Sequence, residues 1–328
     1  MKIEKYNPFF GQHCETTATG SLLNHIGVEL SEPMLFGVGE GLGFLFWRMK
    51  TMDFPFIGGR VKTDLLTRKI CENLNLNLEV KETSSVKIAW KNVVDSLAEK
   101  RVVGLKLDCY HLEYFTNKIH FAGHYAAIYG FDDKYAYLND TEQQGCLVKA
   151  TLRNLELARS EKGPMSSRNL SFTIEQTDEM PNLESVIEKA IFNNACDFLN
   201  PPIKNLGYKG IEKTATEVPK WFKGSSDIKT EFKTSAMLME RAGTGGALFR
   251  NLYRDFLKEA YELTGKIALN EAYKDFKQHA NQWTEISDLF LEIGETKDEK
   301  YVKAASELFL QLSRSEKITM EKLKDSCA

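Results

Sequence analysis

The sequence predicts an α+β chain: helices first, then a mostly antiparallel sheet, then an all-α region. Three observations carry this. Up to about residue 100, most apolar residues recur at helical spacing. From residue 102 the period changes, and β-branched and aromatic residues dominate. Beyond residue 184 almost every segment returns to the helical period.

The first predicted helix covers 15–26, with Leu22, Leu23 and Ile26 on one face and Gly27 suited to the C′ position. A second starts near Ser31, with Pro33 in its first turn. TDLLTRKICENL (63–74) reads as a helix and LNLEVKE as a strand. KIAWKNVVDSLAEK reads as a helix with Ala89, Val93, Val94 and Leu97 apolar. Strands follow in VVGLKLDCY, HYAAIYGF and YAYLND, the last two joined by a hairpin turn at Asp132-Asp133-Lys134. LVKATLRNLELARSEK adds a short strand and helix, and NLSFTIE a last strand. After EQTDEMPNLE, the helices of ALFRNLYRDFLKEAYEL, EISDLFLEI and YVKAASELFLQL complete the chain. The expected division is a first domain at 1–175, a linker at 176–184 and a helical domain at 185–328.

The chain has 328 residues, 42% hydrophobic and 27% charged, an ordinary globular balance with length for two cores. A net charge of -3 gives no electrostatic footprint for nucleic acid or an anionic membrane. Six scattered cysteines (Cys14, Cys71, Cys109, Cys146, Cys196, Cys327) without a CxxC pair read as reduced thiols. The start, MKIEKYNPFF, lacks the apolar core of a secretory signal. PMLFGVGEGLGFLFW is broken by Glu40 and four glycines, short of a membrane span. A cytoplasmic protein is expected.

Chemistry concentrates first at GQHCETTATG. Cys14 sits where a helix starts, and a helix N-terminus favours a thiolate and can hold an oxyanion. Two readings stand here, a nucleophile and a small buried filler. His124 opens HYAAIYGF and Asp140 ends YAYLND. With the turn near 132–133, residues 124 and 140 oppose each other across the hairpin, on one face. The carboxylate then orients the imidazole. A strand-end histidine beside a surface aspartate is the alternative.

Cys14, then His124 and Asp140, follow the chain order of papain-like cysteine enzymes. GHYAAIYGFDDKYAYLND resembles the histidine hairpin of bacteriocin-processing papain-like peptidases. GQHCETTATGSLLNHIG, LSEPMLFGVGEGLGF, LDCYHLEYF and FAGHYAAIYGFDD resemble more closely the butirosin biosynthesis acyltransferase family, over most of the first 175 residues. AGTGGALFRNLYRDFLKEA resembles the helical domain that follows in that family. The resemblance implies a papain-like first domain and acyl transfer through a Cys14 thioester. The donor is an acyl carrier protein or other acyl thioester, the acceptor a small amine, and no cofactor takes part. His124 is then the acid/base and Asp140 its orienter. Papain-like peptidases carry an oxyanion glutamine about six residues before the cysteine, where this chain has Pro8. Gln12 or Asn7 are the candidates in its place, beside the Cys14 N–H. A papain-like peptidase or amide hydrolase, and a non-enzymatic binding protein on the same scaffold, are the alternative functions.

Cys109, His111, His120 and His124 have metal-ligand spacings, but 109 and 111 also fit one strand face, and no metal site is expected. GVGEGLG follows no strand and lacks the last glycine of GxGxxG, so it is no nucleotide loop. Its glycines are expected to let backbones approach or to shape a channel near Cys14. Glu40 could meet a cationic acceptor or be a structural carboxylate. In RAGTGG, Thr244 is expected to cap a helix starting near Gly246, with Arg241 adding charge for a phosphate. A tight helix–helix turn is the alternative.

Overall fold

The computed structural model describes residues 1–50, 52–163, 166–177 and 179–328. Helix α1 (Cys14–His25) and α2 (Glu32–Val38) precede a hairpin of β1 (Leu42–Trp47) and β2 (Phe56–Arg60). Then come α3 (Leu65–Asn73), β3 (Asn77–Lys81), α4 (Val86–Ala98), β4 (Val103–Leu107), β5 (His124–Phe131) and β6 (Tyr135–Asn139). Next are β7 (Leu147–Thr151), α5 (Leu152–Ser160) and β8 (Ser171–Glu175). Six helices follow: α6 (Leu183–Leu199), α7 (Gly207–Gly224), α8 (Ile228–Arg241), α9 (Arg250–Thr264), α10 (Ile267–Thr296) and α11 (Glu299–Ser326). The fold is mixed helix and antiparallel sheet, compatible with α+β.

The boundaries follow local chemistry. Ser85 caps α4 by accepting from the Ile88 N–H at 3.3 Å, and Asn182 caps α6 through the Ser185 N–H at 3.2 Å. Gly27, at φ +82°, ends α1 in the left-handed region where a side chain is disfavoured. At the end of β4, Asp108 accepts from the Tyr110 N–H at 2.8 Å and turns the chain out of the sheet. Cys109 and His111, expected on one strand face, therefore lie in a short 3-10 turn.

Two compact units form: Met1–Leu35 with Thr63–Pro181, and Phe36–Lys62 with Asn182–Ala328. The first holds a six-stranded antiparallel sheet in the order β3-β8-β4-β5-β6-β7, with α1 packed against β5 and β4. Leu22, Leu105, Leu107, Ile128 and Leu138 are fully buried in it. The second packs α6 to α11 around Trp221, Phe232, Phe256, Phe276, Trp283 and Phe290, with the β1–β2 hairpin laid on α7.

The division differs from a single cut at 176–184. Residues 36–62 join the helical unit because its side chains satisfy their backbone. Asn194 Nδ2 donates to Glu40 O (3.2 Å) and Leu42 O (2.7 Å). Arg250 Nη1 donates to Gly43 O (3.2 Å) and Gly59 O (3.4 Å), while its Nε and Nη2 grip Glu316 at 2.9 Å each. The region expected as 185–328 is thus completed by a β-hairpin. Part of the expected linker is tied to the first unit, where Thr177 Oγ1 donates to Asn75 O at 2.6 Å. Asp178, also in that expected linker, lies outside the described residues.

Candidate active site

Cys14 is the first residue of α1, behind an extended His13. The first N–H groups of a helix have no partner within it. Just before the helix, the carboxylate of Glu32, from α2, takes two further N–H groups: Gln12 N at 2.9 Å and His13 N at 2.8 Å. The Thr16 hydroxyl lies 2.7 Å away. Burial, partly offset by these hydrogen bonds, raises the Glu32 pKa. Gly11 permits the packing, since a Cβ there would meet Thr17 Oγ1, Glu32 Oε1 and the Phe9 ring within 3 Å.

Two tethers bring this loop to the end of β6. Gly11 O accepts from the Glu142 N–H at 2.9 Å. Asn139, fully buried, accepts at Oδ1 from Tyr6 OH (2.8 Å), Phe9 N (3.1 Å) and Ser21 Oγ (3.0 Å), and donates from Nδ2 to Phe9 O (3.0 Å). Its other Nδ2 hydrogen goes to Asp140 O at 3.2 Å, so the same side chain ties the segment on either side of Cys14 to the backbone of Asp140. Sequence reasoning passed over Asn139; its one signal was a polar residue inside a strand run.

His124 opens β5, and its Nε2 lies 2.8 Å from Asp140 Oδ2. The contact is as expected, but the register is not. Residues 124 and 140 do not oppose each other. Ala127 pairs with Asn139 and Ile128 with Leu138, and an irregularity then shifts the pairing so that Phe131 meets Ala136. Continuing the Ala127–Asn139 register sets Asp140 across from Ala126, two residues from His124. A shift of two keeps the face, where a shift of one would have reversed it. A diagonal neighbour is still within side-chain reach.

Asp140 is fully buried and fully used. Oδ2 also accepts from Tyr114 OH at 2.7 Å, and Oδ1 from the Thr141 N–H at 2.7 Å. Burial works against a charge on His124. The Asp140 carboxylate beside it, with the nearby Cys109 and Cys14 sulfurs, outweighs this and holds the His124 pKa well above the ordinary histidine value. Burial and Asp140 keep Tyr114 protonated, its pKa well above the usual phenol range. The Phe115 ring meets the imidazole edge-on at 5.1 Å. Tyr114 and Phe115 lie in the quoted LDCYHLEYF, where sequence reasoning gave them no role.

Of the other candidates, Gln12 is exposed two residues before Cys14 and held by its backbone. Glu40 belongs to the second unit, where its buried carboxylate accepts from Asn193 Nδ2 at 2.9 Å, a structural role. Gly37 makes room for the Phe256 ring, and Gly43 for the Arg60 backbone. Both contacts lie within the second unit, so these glycines serve packing there. The Thr244 hydroxyl donates to Met239 O at 2.8 Å and accepts from the Gly246 N–H at 3.1 Å, but Gly246 itself is the residue before the 3-10 turn at Ala247–Phe249, and α9 begins only at Arg250. The Ala247 N–H in that turn already faces the Glu240 carboxylate at 3.1 Å. Arg241 is exposed at the end of α8. Of the set Cys109, His111, His120 and His124, the rings of His111 and His120 stand near each other, with centroids 5.8 Å apart, and His124 is drawn away. His111 turns to Glu161 at 2.7 Å and His120 to Asp108 at 3.4 Å, while His124 serves Asp140. A cleft of about 470 Å³ lies by the far end of α1, lined by His25, Lys100 and Glu175 among others. Among the described residues, no helix is long and apolar enough to cross a membrane.

Two family models match the chain. Butirosin biosynthesis protein H, N-terminal, covers residues 13–141, a range that encloses Cys14, His124 and Asp140. A domain of unknown function, DUF4872, covers residues 153–323, half of the chain. No curated protein matches it closely enough to add a named relative. The chain therefore belongs to the butirosin biosynthesis protein H family in its N-terminal region, and carries the DUF4872 domain through its C-terminal half.

Proposed function

We propose that this chain is a cysteine acyltransferase of antibiotic biosynthesis, with a papain-like first unit. Cys14 is its nucleophile, His124 its acid/base and Asp140 the orienter. The observation that carries the reading is the buried 2.8 Å bond between His124 and Asp140, on a strand against which the Cys14 helix packs. It leaves Nδ1 of the ring to face a thiol. The family's name supports a biosynthetic setting.

The chemistry follows from these groups. The Cys14 thiolate attacks the carbonyl carbon of an acyl thioester. Collapse of the tetrahedral adduct breaks the donor's C–S bond, and the His124 imidazolium protonates the leaving thiol. A small amine then attacks the Cys14 acyl-enzyme. His124 takes its proton, and the Cys14 thiolate leaves. Oxyanion charge is met by the N-terminal N–H groups of α1, with the Cys14 N–H first. The donor is an acyl carrier protein or coenzyme thioester, and the protein works in the cytoplasm. Amide hydrolysis by the same residues would begin on an amide, whose C–N bond breaks as His124 protonates the leaving amine, and water would then attack the acyl-enzyme.

Intact-mass spectrometry after mixing with a short acyl thioester tests this. The expected result is one acyl mass added to the wild type and none to Cys14→Ala, discharged faster by a diamine than by buffer. An adduct that survives Cys14→Ala, or a wild type that leaves the thioester untouched, would overturn it.

A further inference from the structure

We infer that His111, His120 and Glu161 form a zinc site that fastens the loop over the His124–Asp140 pair. Among the described residues these three make up a group of metal-binding type. One ligand atom from each lies within 4.8 Å of the others. The closest pair, His111 Nε2 and Glu161 Oε2, is 2.7 Å apart. Ligands at ~2.0–2.1 Å in a tetrahedron stand about 3.3 Å from one another. The observed spread brackets that value, so small side-chain rotations complete the set.

The three residues come from separate places: the 3-10 turn after β4, the stretch before β5, and the end of α5. Their surroundings hold the rings as metal sites do. Asp108, 2% exposed and fixed by the Tyr110 N–H, faces His120 Nδ1 at 3.4 Å. Tyr110 stacks on the same imidazole, with centroids 4.0 Å apart. Two imidazoles and a carboxylate without thiolate select zinc, cobalt or nickel over calcium and magnesium. His120 is 57% exposed on its side chain, so an ion can enter from solvent, and water would complete the shell.

Between His111 and His120 lie Tyr114, which donates to Asp140, and Phe115, which meets the His124 ring. An ion bridging both ends of this loop to α5 lowers the cost of ordering it. The ion touches no reacting atom; its role is to position the loop.

Calorimetric titration of the chelator-treated full chain with zinc tests the site, in wild type, His120→Gln, Glu161→Gln and Cys14→Ala. Circular dichroism checks that each variant is folded. Expected are one equivalent bound at micromolar zinc and a raised Tm. The His120 and Glu161 variants lose a ligand and should bind more weakly by at least the ~10–100-fold that loss of an outer-shell partner costs, with Cys14→Ala unchanged. Absence of binding in the wild type overturns the site. So does binding that ignores the His120 and Glu161 variants, or is lost in Cys14→Ala, which would put the ion on the thiol. None of these readouts depends on acyl transfer, so the site and the proposed activity fail separately.

Discussion

At the scale of single residues, the site turns on one oxygen, Asp140 Oδ2, which accepts from both His124 and Tyr114. A buried carboxylate with these donors favours a charged imidazole, and a charged imidazole favours a thiolate. The other thiols are placed differently. Burial pushes Cys71 up to about 12 and also raises Cys146 and Cys327. Iodoacetamide at neutral pH should therefore modify Cys14 before these three, and His124→Ala should slow it; peptide mass spectrometry reads both. The His124 shift also sets a pH dependence of stability. Its pKa is raised on folding, so its contribution is full below the unfolded value of ~6.5. That contribution is lost as pH rises through the folded value. Urea midpoints should show His124→Ala costing more at pH 6 than at pH 9. Asp140, Tyr114, Cys14 and Cys109 are the charged or titratable groups around it. An equal cost at both pH values would sink the assignment of a charged imidazole.

Elements supply what single residues lack. α1 has no side-chain cap of its own, and the Glu32 carboxylate from α2 holds the two N–H groups just before it. α2 in turn carries Gly37, against which the Phe256 ring lies with no space for a Cβ. Gly37→Val should destabilise the protein by at least ~1–3 kcal/mol through overpacking, seen as a lower urea midpoint. A neutral result would mean that α2 and α9 can part without loss. The element types were largely legible in the sequence because period and capping are local. Every helix expected before residue 100 is present, as are the strands from 103 to 139. The β1–β2 hairpin was not seen: LGFLFW is a short apolar run, which periodicity alone does not assign. The 3-10 turn at Cys109–His111 escaped for another reason: one side-chain bond from Asp108 overrides the strand pattern.

For the whole molecule, the consequence lies in where residues 36–62 belong. They complete the unit of α6 to α11, and Arg250, wholly buried, spends donors on Gly43 and Gly59 as well as on Glu316. A fragment cut as 185–328 would leave that arginine and Asn194 short of partners, and buried polar groups without partners are costly. Such a fragment should show less cooperative urea unfolding than the full chain, followed by circular dichroism. A sharp transition at the full-chain midpoint would contradict the placement of the hairpin.

The sequence by itself determined that a thiol opens a helix and that helices follow a sheet, because these depend on residues a few positions apart. That His124 and Asp140 share a face was anticipated from hairpin parity, but the one-residue irregularity between Ile128 and Gly130 is what secures it. Only the tertiary structure decided the rest. Asn139 holds Phe9 across 130 positions of chain, Tyr114 reaches Asp140 across 26, and Glu161 reaches His111 across 50. No local period encodes such partners. Chain closure over long loops and the pairing of buried polar groups select them together.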